Sequence, residues 1–291
     1  IGAGASANAL PVVNGMNERM EIFLDDLWHI NSEKKFVESR VFKKLSDLFE
    51  KIKTHKTIDT YAKKLWYKKD TENYNLLKRF LISYLLFEQT INDPTQYYSQ
   101  YFISDAKEYR DKIKIPLDNR YDSFFASLLN SDTILNPNIN IVSWNYDLQL
   151  ELSYSDFLQA KNDLDEIQER LQVYPRKLSV IDVDVNKSSI IKINGTGSFR
   201  DYFSSQNANV FDVINETFSE ERFIEILFMV LFGYREGKNI INQLKFAWED
   251  GDQVKKAREY ASQIIRDSDA VVIIGYSFPT FNREIDRLLF S

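Results

Sequence analysis

The feature that most restricts the fold of this chain is a set of short apolar runs, each stopping at a glycine or a polar turn. Ala270 to Ile274 is a β-branched run that ends in Gly275. Ile139 to Val142 leads into Ser143-Trp144-Asn145-Tyr146-Asp147, and Ile190 to Ile193 leads into Asn194-Gly195-Thr196-Gly197-Ser198. Leu178 to Val183 reads as a further strand. Runs this short suit buried strands. They alternate with segments of helical periodicity, namely Leu164 to Leu171, Phe218 to Tyr234 and Asp252 to Arg266. The expected class is α/β, a Rossmann-like parallel sheet with helices on both faces. In such a sheet a ligand lies outside the C-terminal strand ends, so the turns after these runs are where chemistry is expected.

A second region has a different rhythm. From Asn17 to about Asn130 apolar residues recur at three and four, as in Leu45, Leu48, Phe49, Ile52 and in Phe80, Tyr84, Phe87. Asn92-Asp93-Pro94 and Ile115-Pro116-Leu117-Asp118 supply turns, and no strand signal interrupts. The expected organisation is an α/β part, residues 1–16 and 132–291, carrying an all-helical insertion, residues 17–131. Glycine-rich loops normally follow a buried strand, yet only Ile1 precedes Gly2, and the helix expected over Asn282 to Ser291 has no closing cap. The sequence is therefore expected to be a portion of a longer protein.

Composition excludes several chemistries. The chain has 291 residues and no cysteine, so disulfides, thiolate zinc sites and a thiol nucleophile are ruled out. With only two histidines, His29 and His55, a histidine-rich metal site is not expected. A net charge of −6 draws the molecule neither to nucleic acid nor to an anionic membrane. The longest apolar stretch, Phe223 to Phe232, is interrupted by Glu225 and is shorter than the ~18 residues a membrane span needs. This balance suits a cytoplasmic protein. Lys51, Lys53, Lys56, Lys63, Lys64, Lys68 and Lys69 crowd one stretch around Trp66 and Tyr67. That stretch could meet an acidic partner or nucleic acid; a solvated helix face is the commoner meaning. Tyr97, Tyr98, Tyr101 and Phe102 read as core or as a subunit interface.

Four turns carry the candidate site. Gly2-Ala3-Gly4-Ala5-Ser6-Ala7 fits G-x-G-x-x-G/A, in which glycines allow a tight turn and close approach of a pyrophosphate. A small-residue loop can also be only a turn. Asn145 and Asp147, two residues apart at a strand end, could hold a ribose or a water; alternatively one of them caps the next helix. Asn194 and Gly195 follow the next strand and allow close backbone approach, or form a plain loop. Gly275 and Ser277 follow the last run and could contact a ribose or phosphate, or make an ordinary strand-to-helix turn capped by Asn282.

Taken together, GAGAS, the Asn-x-Asp after a strand, a strand end of the form apolar-x-Gly, and Gly275-Tyr276-Ser277-Phe278-Pro279 resemble the sirtuin-like NAD-binding family. The similarity is greatest to its bacterial branch that hydrolyses NAD in antiphage defence. It covers residues 1–16 and about 139–291. The resemblance implies that Gly2, Ala3, Gly4 and Ser6 bind the NAD phosphates. It puts Asn145 and Asp147 at the nicotinamide ribose and Gly275 and Ser277 at the adenosine half. The catalytic position, directly before Gly195, falls on Asn194, where the family carries histidine. An amide has no titratable proton and cannot be a general base near neutral pH. The four zinc-binding cysteines of the deacylase branch and its Gly-x-Pro-Asp-Phe-Arg stretch are both missing, which argues against acyl-lysine removal. The implied activity is hydrolysis of NAD+ to nicotinamide and ADP-ribose, either impaired or re-tuned by a native Asn194 or blocked by a His-to-Asn change introduced there to trap substrate. The rival is a non-catalytic NAD or ADP-ribose binding and sensing module. Further implications are NAD as substrate without a metal, a homo-oligomer, and an activating defence partner such as an ATPase, an Argonaute-like protein or a phage protein. Membrane contact is not implied, and nucleic acid only indirectly.

Overall fold

The computed structural model describes residues 1–11, 13–35, 37–89, 117–158, 164–176, 183–184, 187–201, 207–208, 220–232 and 240–291. The chain divides into two compact units. The first comprises Ile1–Ala9, Leu117–Thr196 and Leu244–Ser291; the second comprises Leu10–Pro116 and Gly197–Gln243.

The second unit is built on helices α1 (Val13–Lys34), α2 (Ser39–Lys53), α3 (Ile58–Tyr67) and α4 (Thr71–Glu88). Thr57 caps α3 and Asp70 caps α4, each side chain accepting a backbone N–H from the first turn. The periodic residues Leu45, Leu48, Phe49 and Ile52 are all buried on one face of α2. Phe23 of α1 packs against Phe80, Tyr84 and Phe87 of α4. Arg19 grips Glu88 through two bonds of 3.0 and 3.1 Å in this core. Within the segment read as unbroken helix, these four helices and α5 (Asn119–Leu128), which belongs to the first unit, are observed. The aromatic group Tyr97 to Phe102 lies outside the described residues.

The first unit is a mixed α/β structure. Strands β1 (Ile141–Ser143), β2 (Val173–Tyr174) and β3 (Ile190–Lys192) form a small parallel sheet in the order β1-β3-β2. Ile141 pairs with Ile190, and Val173 with Ile190 from the other side. Helices α6 (Gln149–Asp156) and α7 (Leu164–Arg170) connect β1 to β2. Side chains alternate along β3, so the two faces meet different partners. Ile191 and Ile193 join Trp144, Tyr174, Ala257, Ala261, Ile285 and Leu289 in one buried cluster. That cluster holds α9 (Asp252–Asp267) and α10 (Arg283–Leu289) against the sheet. Lys192 turns the other way and reaches Glu151 of α6.

A further sheet has the order β5-β4-β6, from β4 (Gly195–Asp201), β5 (Asn207–Ala208) and β6 (Ile240–Leu244). Helix α8 (Glu220–Phe232) packs on α4 in the second unit.

Two strand expectations fare differently from β1 and β3. Most of Leu178 to Val183 lies outside the described residues. Ala270 to Ile274 is in neither sheet, and Val272 is 78% exposed. The physical reason is that no strand among the described residues pairs along it; at its end Gly2 N–H donates to Ile274 O at 2.9 Å.

Candidate functional site

The glycine loop is shaped first by its own backbone. After extended Gly2, residues Ala3–Ser6 make a single 3-10 turn. Gly4 N–H donates to Gly275 O at 2.9 Å, and Ala5 N–H to Gly2 O at 2.9 Å. A Cβ on Gly2 would stand 2.7 Å from Gly275 O, and one on Gly4 would stand 3.0 Å from Gly275 Cα. Two glycine signals more than 260 residues apart in sequence are thus one feature, a backbone-to-backbone contact that tolerates no side chain. Ala3 is exposed beside it.

Ser6 ends the turn and is 1% exposed. Its hydroxyl donates to Asp147 Oδ2 at 2.9 Å and accepts from Asn145 Nδ2 at 3.2 Å. The Tyr121 hydroxyl lies 3.1 Å away. The G-x-G-x-x loop and the Asn-x-Asp turn after β1 therefore meet at one buried group of polar side chains. The capping alternative is also partly realised, because Asp147 Oδ1 accepts the N–H of Gln149, the first residue of α6, at 3.2 Å. Burial pushes the Asp147 carboxyl up from the ordinary carboxylate range, and the Lys192 charge pulls it back down. The same burial, reinforced by Asp147, raises the Tyr121 phenol.

Below this group sits a buried ion pair. Lys192 is 1% exposed and Glu151 0%. The Lys192 ammonium donates to both Glu151 oxygens, at 2.8 and 2.9 Å, and to the Asp147 backbone oxygen at 2.7 Å. Gln168 Nε2 donates to Glu151 at 3.1 Å. The ammonium thus fixes the turn that presents Asp147.

A second support comes from the start of α5. Asp118 caps that helix, accepts Asn8 N–H at 2.9 Å and pairs with Arg120, whose guanidinium holds its carboxyl below the usual range. Arg120 Nη2 also donates to the carbonyls of Gly4 and Ala5 at 3.2 and 3.1 Å. The loop is clamped on its carbonyl side by a half-exposed cation.

Asn194 follows β3 and is 4% exposed. Its Nδ2 donates to Trp144 O at 3.4 Å and its backbone oxygen accepts Lys245 N–H at 2.8 Å. Its Oδ1 has no hydrogen-bond partner. Gly195 has φ +72, which suits glycine, and begins β4. Trp144, between the two turns, stacks on Tyr276 at 4.4 Å and leaves its indole N–H without a partner.

The structure therefore brings together Gly2, Gly4, Ser6, Asn145, Asp147 and Gly275, and places Asn194 against the backbone of the Asn145 turn. Ser277 is exposed, and no hydrogen bond joins it to these residues among those described. Asn282 stands at the start of α10 without capping it; its amide donates instead to Tyr276 OH at 3.0 Å, which donates to Asp286 at 2.6 Å. His29 and His55 both belong to the second unit. The lysine-rich stretch lies on α2 and α3 and in the turns that follow each of them, and Lys53 pairs with Glu21 and Glu50.

Sequence reasoning missed Tyr121, Arg120, Lys192 and Glu151. Lys192 did carry a signal, a charge inside the apolar run Ile190-Ile191-Lys192-Ile193. Glu151 sits one helical turn after Asp147, the spacing that shares a face. Tyr121 and Arg120 carried none. Among the described residues no group of three or more His, Cys, Asp or Glu could hold a metal, and no helix is long and apolar enough to cross a membrane. No protein-family model, curated protein or solved structure matches this chain.

Proposed function

We propose that this protein binds NAD+ at the junction of the Gly2–Ser6 loop and the turns after β1 and β3, in a Rossmann-like domain of sirtuin type. We propose further that it belongs to the chemistry of NAD+ hydrolysis, as a cytoplasmic NAD-depleting effector of bacterial antiphage defence that assembles as a homo-oligomer and answers to a defence partner. The observation that carries the reading is the side-chain carbonyl of Asn194. It is a buried acceptor without a donor, beside the Asn145–Asp147 turn. Such an atom costs about 1–3 kcal/mol when left unmet, and a ribose hydroxyl would satisfy it.

The reaction asks little of the protein. Nicotinamide leaves with the electron pair of its bond to the ribose, and the ribose passes through a cation that water captures at C1′, releasing a proton. The Asp147 carboxylate stabilises that positive charge, and Asn145 orients a ribose hydroxyl or the water. Asn194 can bind but cannot take the proton, so turnover falls short by the roughly hundred- to ten-thousandfold a general base supplies. Asn194 is also what favours the second reading, a binding and sensing module without catalysis.

Calorimetry with NAD+, ATP and a flavin tests the ligand, and nicotinamide release from the chain and from Asn194→His tests the chemistry. NAD+ binding with a gain of two to four orders of magnitude in the variant, the usual worth of a general base, supports the hydrolase. Binding with no release from either form, partner present, leaves the sensing module. Tight ATP or flavin binding without NAD+ binding overturns both.

A further inference from the structure

Residues 51–70 hold seven lysines against two aspartates, in a chain whose net charge is −6. The fold gathers most of these lysines where α2 and α3 end. His55 ties the two ends together. Its Nδ1 lies 2.8 Å from Lys51 O and its Nε2 lies 3.5 Å from the Lys64 ammonium, so Nδ1–H donates and Nε2 accepts. Asn73, with smaller pulls from Lys51 and Lys68, holds the Asp70 carboxyl below its usual range, which places those two ammoniums around one carboxylate. The other acids of this region are committed. Glu21 and Glu50 pair with Lys53, Glu72 pairs with Lys44, and Asp59 is half-buried in the first turn of α3. Lys51, Lys56, Lys64, Lys68 and Lys69 are exposed and make no ion pair among the described residues.

A helix C-terminus favours cations, which alone accounts for Lys64 and Lys68. It does not account for the rings among them. Trp66 is 45% exposed and Tyr67 73%. Trp66 rests on Tyr74 at 5.4 Å, and the Lys63 ammonium lies over the Tyr67 ring at 5.9 Å. Apolar residues scattered singly on a surface need no explanation, but two adjacent rings bordered by five such ammoniums do. The negative net charge acts at long range; within a Debye length, about 8 Å in physiological salt, the local cations set the field.

We propose that the surface formed by these five lysines with Trp66 and Tyr67 binds single-stranded nucleic acid. The ammoniums meet successive phosphates, and unpaired bases stack on the two rings. An acidic protein segment would satisfy the lysines and leave the rings without a flat partner. A duplex keeps its bases stacked on one another and offers only its backbone. The surface lies wholly within the second unit, and the inference makes no use of the NAD+ reading.

Fluorescence anisotropy on the 291-residue chain measures the binding of labelled oligothymidylate and oligouridylate about twelve nucleotides long, within the usual site size. A duplex of the same length, inorganic polyphosphate and a polyglutamate peptide are the comparisons. Either oligonucleotide should bind with a dissociation constant of about 1–100 μM, and the ratio of the two affinities assigns RNA or DNA through the 2′-hydroxyl. The slope of log K against log salt should be about −2 to −3.5, the value for roughly three to five neutralised phosphates on a single strand. Tyr67→Ala should weaken oligonucleotide binding roughly 5- to 100-fold at unchanged slope, the worth of one stacked base, and leave polyphosphate binding as it was. So exposed a side chain is dispensable for folding. Lys64→Gln combined with Lys68→Gln should flatten the slope by about 1.4. The proposal is overturned if neither oligonucleotide binds. It is also overturned if the duplex or polyphosphate binds as tightly as the oligonucleotides and Tyr67→Ala changes nothing, or if polyglutamate binds more tightly than both, which would mean an acidic protein partner. Oligonucleotide binding unaltered by both sets of substitutions would put it elsewhere on the molecule and overturn the proposal as well.

Discussion

A Cβ on Gly275 would stand 2.2 Å from the backbone nitrogen of Ala5. Gly275 also holds φ +63, a conformation that side chains resist. The two glycine motifs are therefore a single joint, in which the turn after residues 271–274 presses on the loop that carries Ser6. Gly275→Ala should destabilise the first unit by at least about 2 kcal/mol, from strain plus displaced backbone, and should weaken NAD+ binding by moving Ser6 away from Asp147. Gly251 has nothing within 4 Å of its would-be Cβ and serves as the control. Gly251→Ala should stay within about 1 kcal/mol of the parent in urea denaturation, the range of a lost N-cap preference.

The Lys192–Glu151 pair makes a prediction with two halves. Removing one partner leaves an uncompensated buried charge, so Lys192→Met should cost about 3–5 kcal/mol. The double variant Lys192→Met with Glu151→Leu should recover much of that stability, since an apolar replacement of a buried pair is often neutral. Ligand binding should not recover with it, because the Asp147 carbonyl has lost the ammonium that holds it. Denaturation and calorimetry on the three proteins separate the halves. Equal losses in the single and double variants would mean that the pair is not a closed unit.

Asp59, in the first turn of α3, gives a pH dependence in the second unit. Partial burial pushes its carboxyl from 3.8 up to about 6, partly offset by its own backbone N–H. The folded state then holds a proton that the unfolded state has released, between roughly pH 4 and pH 6. This group's contribution favours folding below that window and is lost as pH rises through about 6. Asp59→Asn should remove that slope and raise stability at pH 7 by roughly 1–2 kcal/mol. Thermal melts of both proteins at pH 5 and pH 7 check it; an unchanged slope in the variant would assign the dependence to another group.

The parts legible in the sequence were those set by local pattern. The periodic apolar residues of α2 and α4 gave helices, and Ile141 and Ile190 gave paired parallel strands because β-branched runs bounded by turns have few other uses. The joining of Ser6 to Asn145 and Asp147 followed from placing each at a strand end. What stayed hidden depended on distant partners. Gly2 and Gly275 each looked like a ligand contact, because a glycine shows only that something approaches closely, and here each meets the other's backbone. Residues 270–274 had the composition of a strand but no neighbour to pair with. Tyr121 and Arg120, from the region read as insertion, reach the loop only because Asp118 turns the chain back onto Asn8.

The side-chain carbonyl of Asn194 separates stability from function. As an unmet buried acceptor it lowers the stability of the ligand-free protein. Its amide offsets little of this, since its bond to Trp144 O is long at 3.4 Å. Asn194→Leu, close in volume and free of polar atoms, should therefore raise the stability of the ligand-free chain by about 1 kcal/mol or more. If NAD+ binds as proposed, the thermal shift produced by saturating NAD+ should shrink at the same time, because the proposed ribose contact loses its acceptor. A binding residue whose removal stabilises the empty protein and weakens the complex is the signature of a polar group held ready for a ligand. Differential scanning fluorimetry with and without NAD+ reads both effects. If Asn194→Leu lowers the midpoint and leaves the NAD+ shift intact, the carbonyl is part of the framework and the ligand does not touch it.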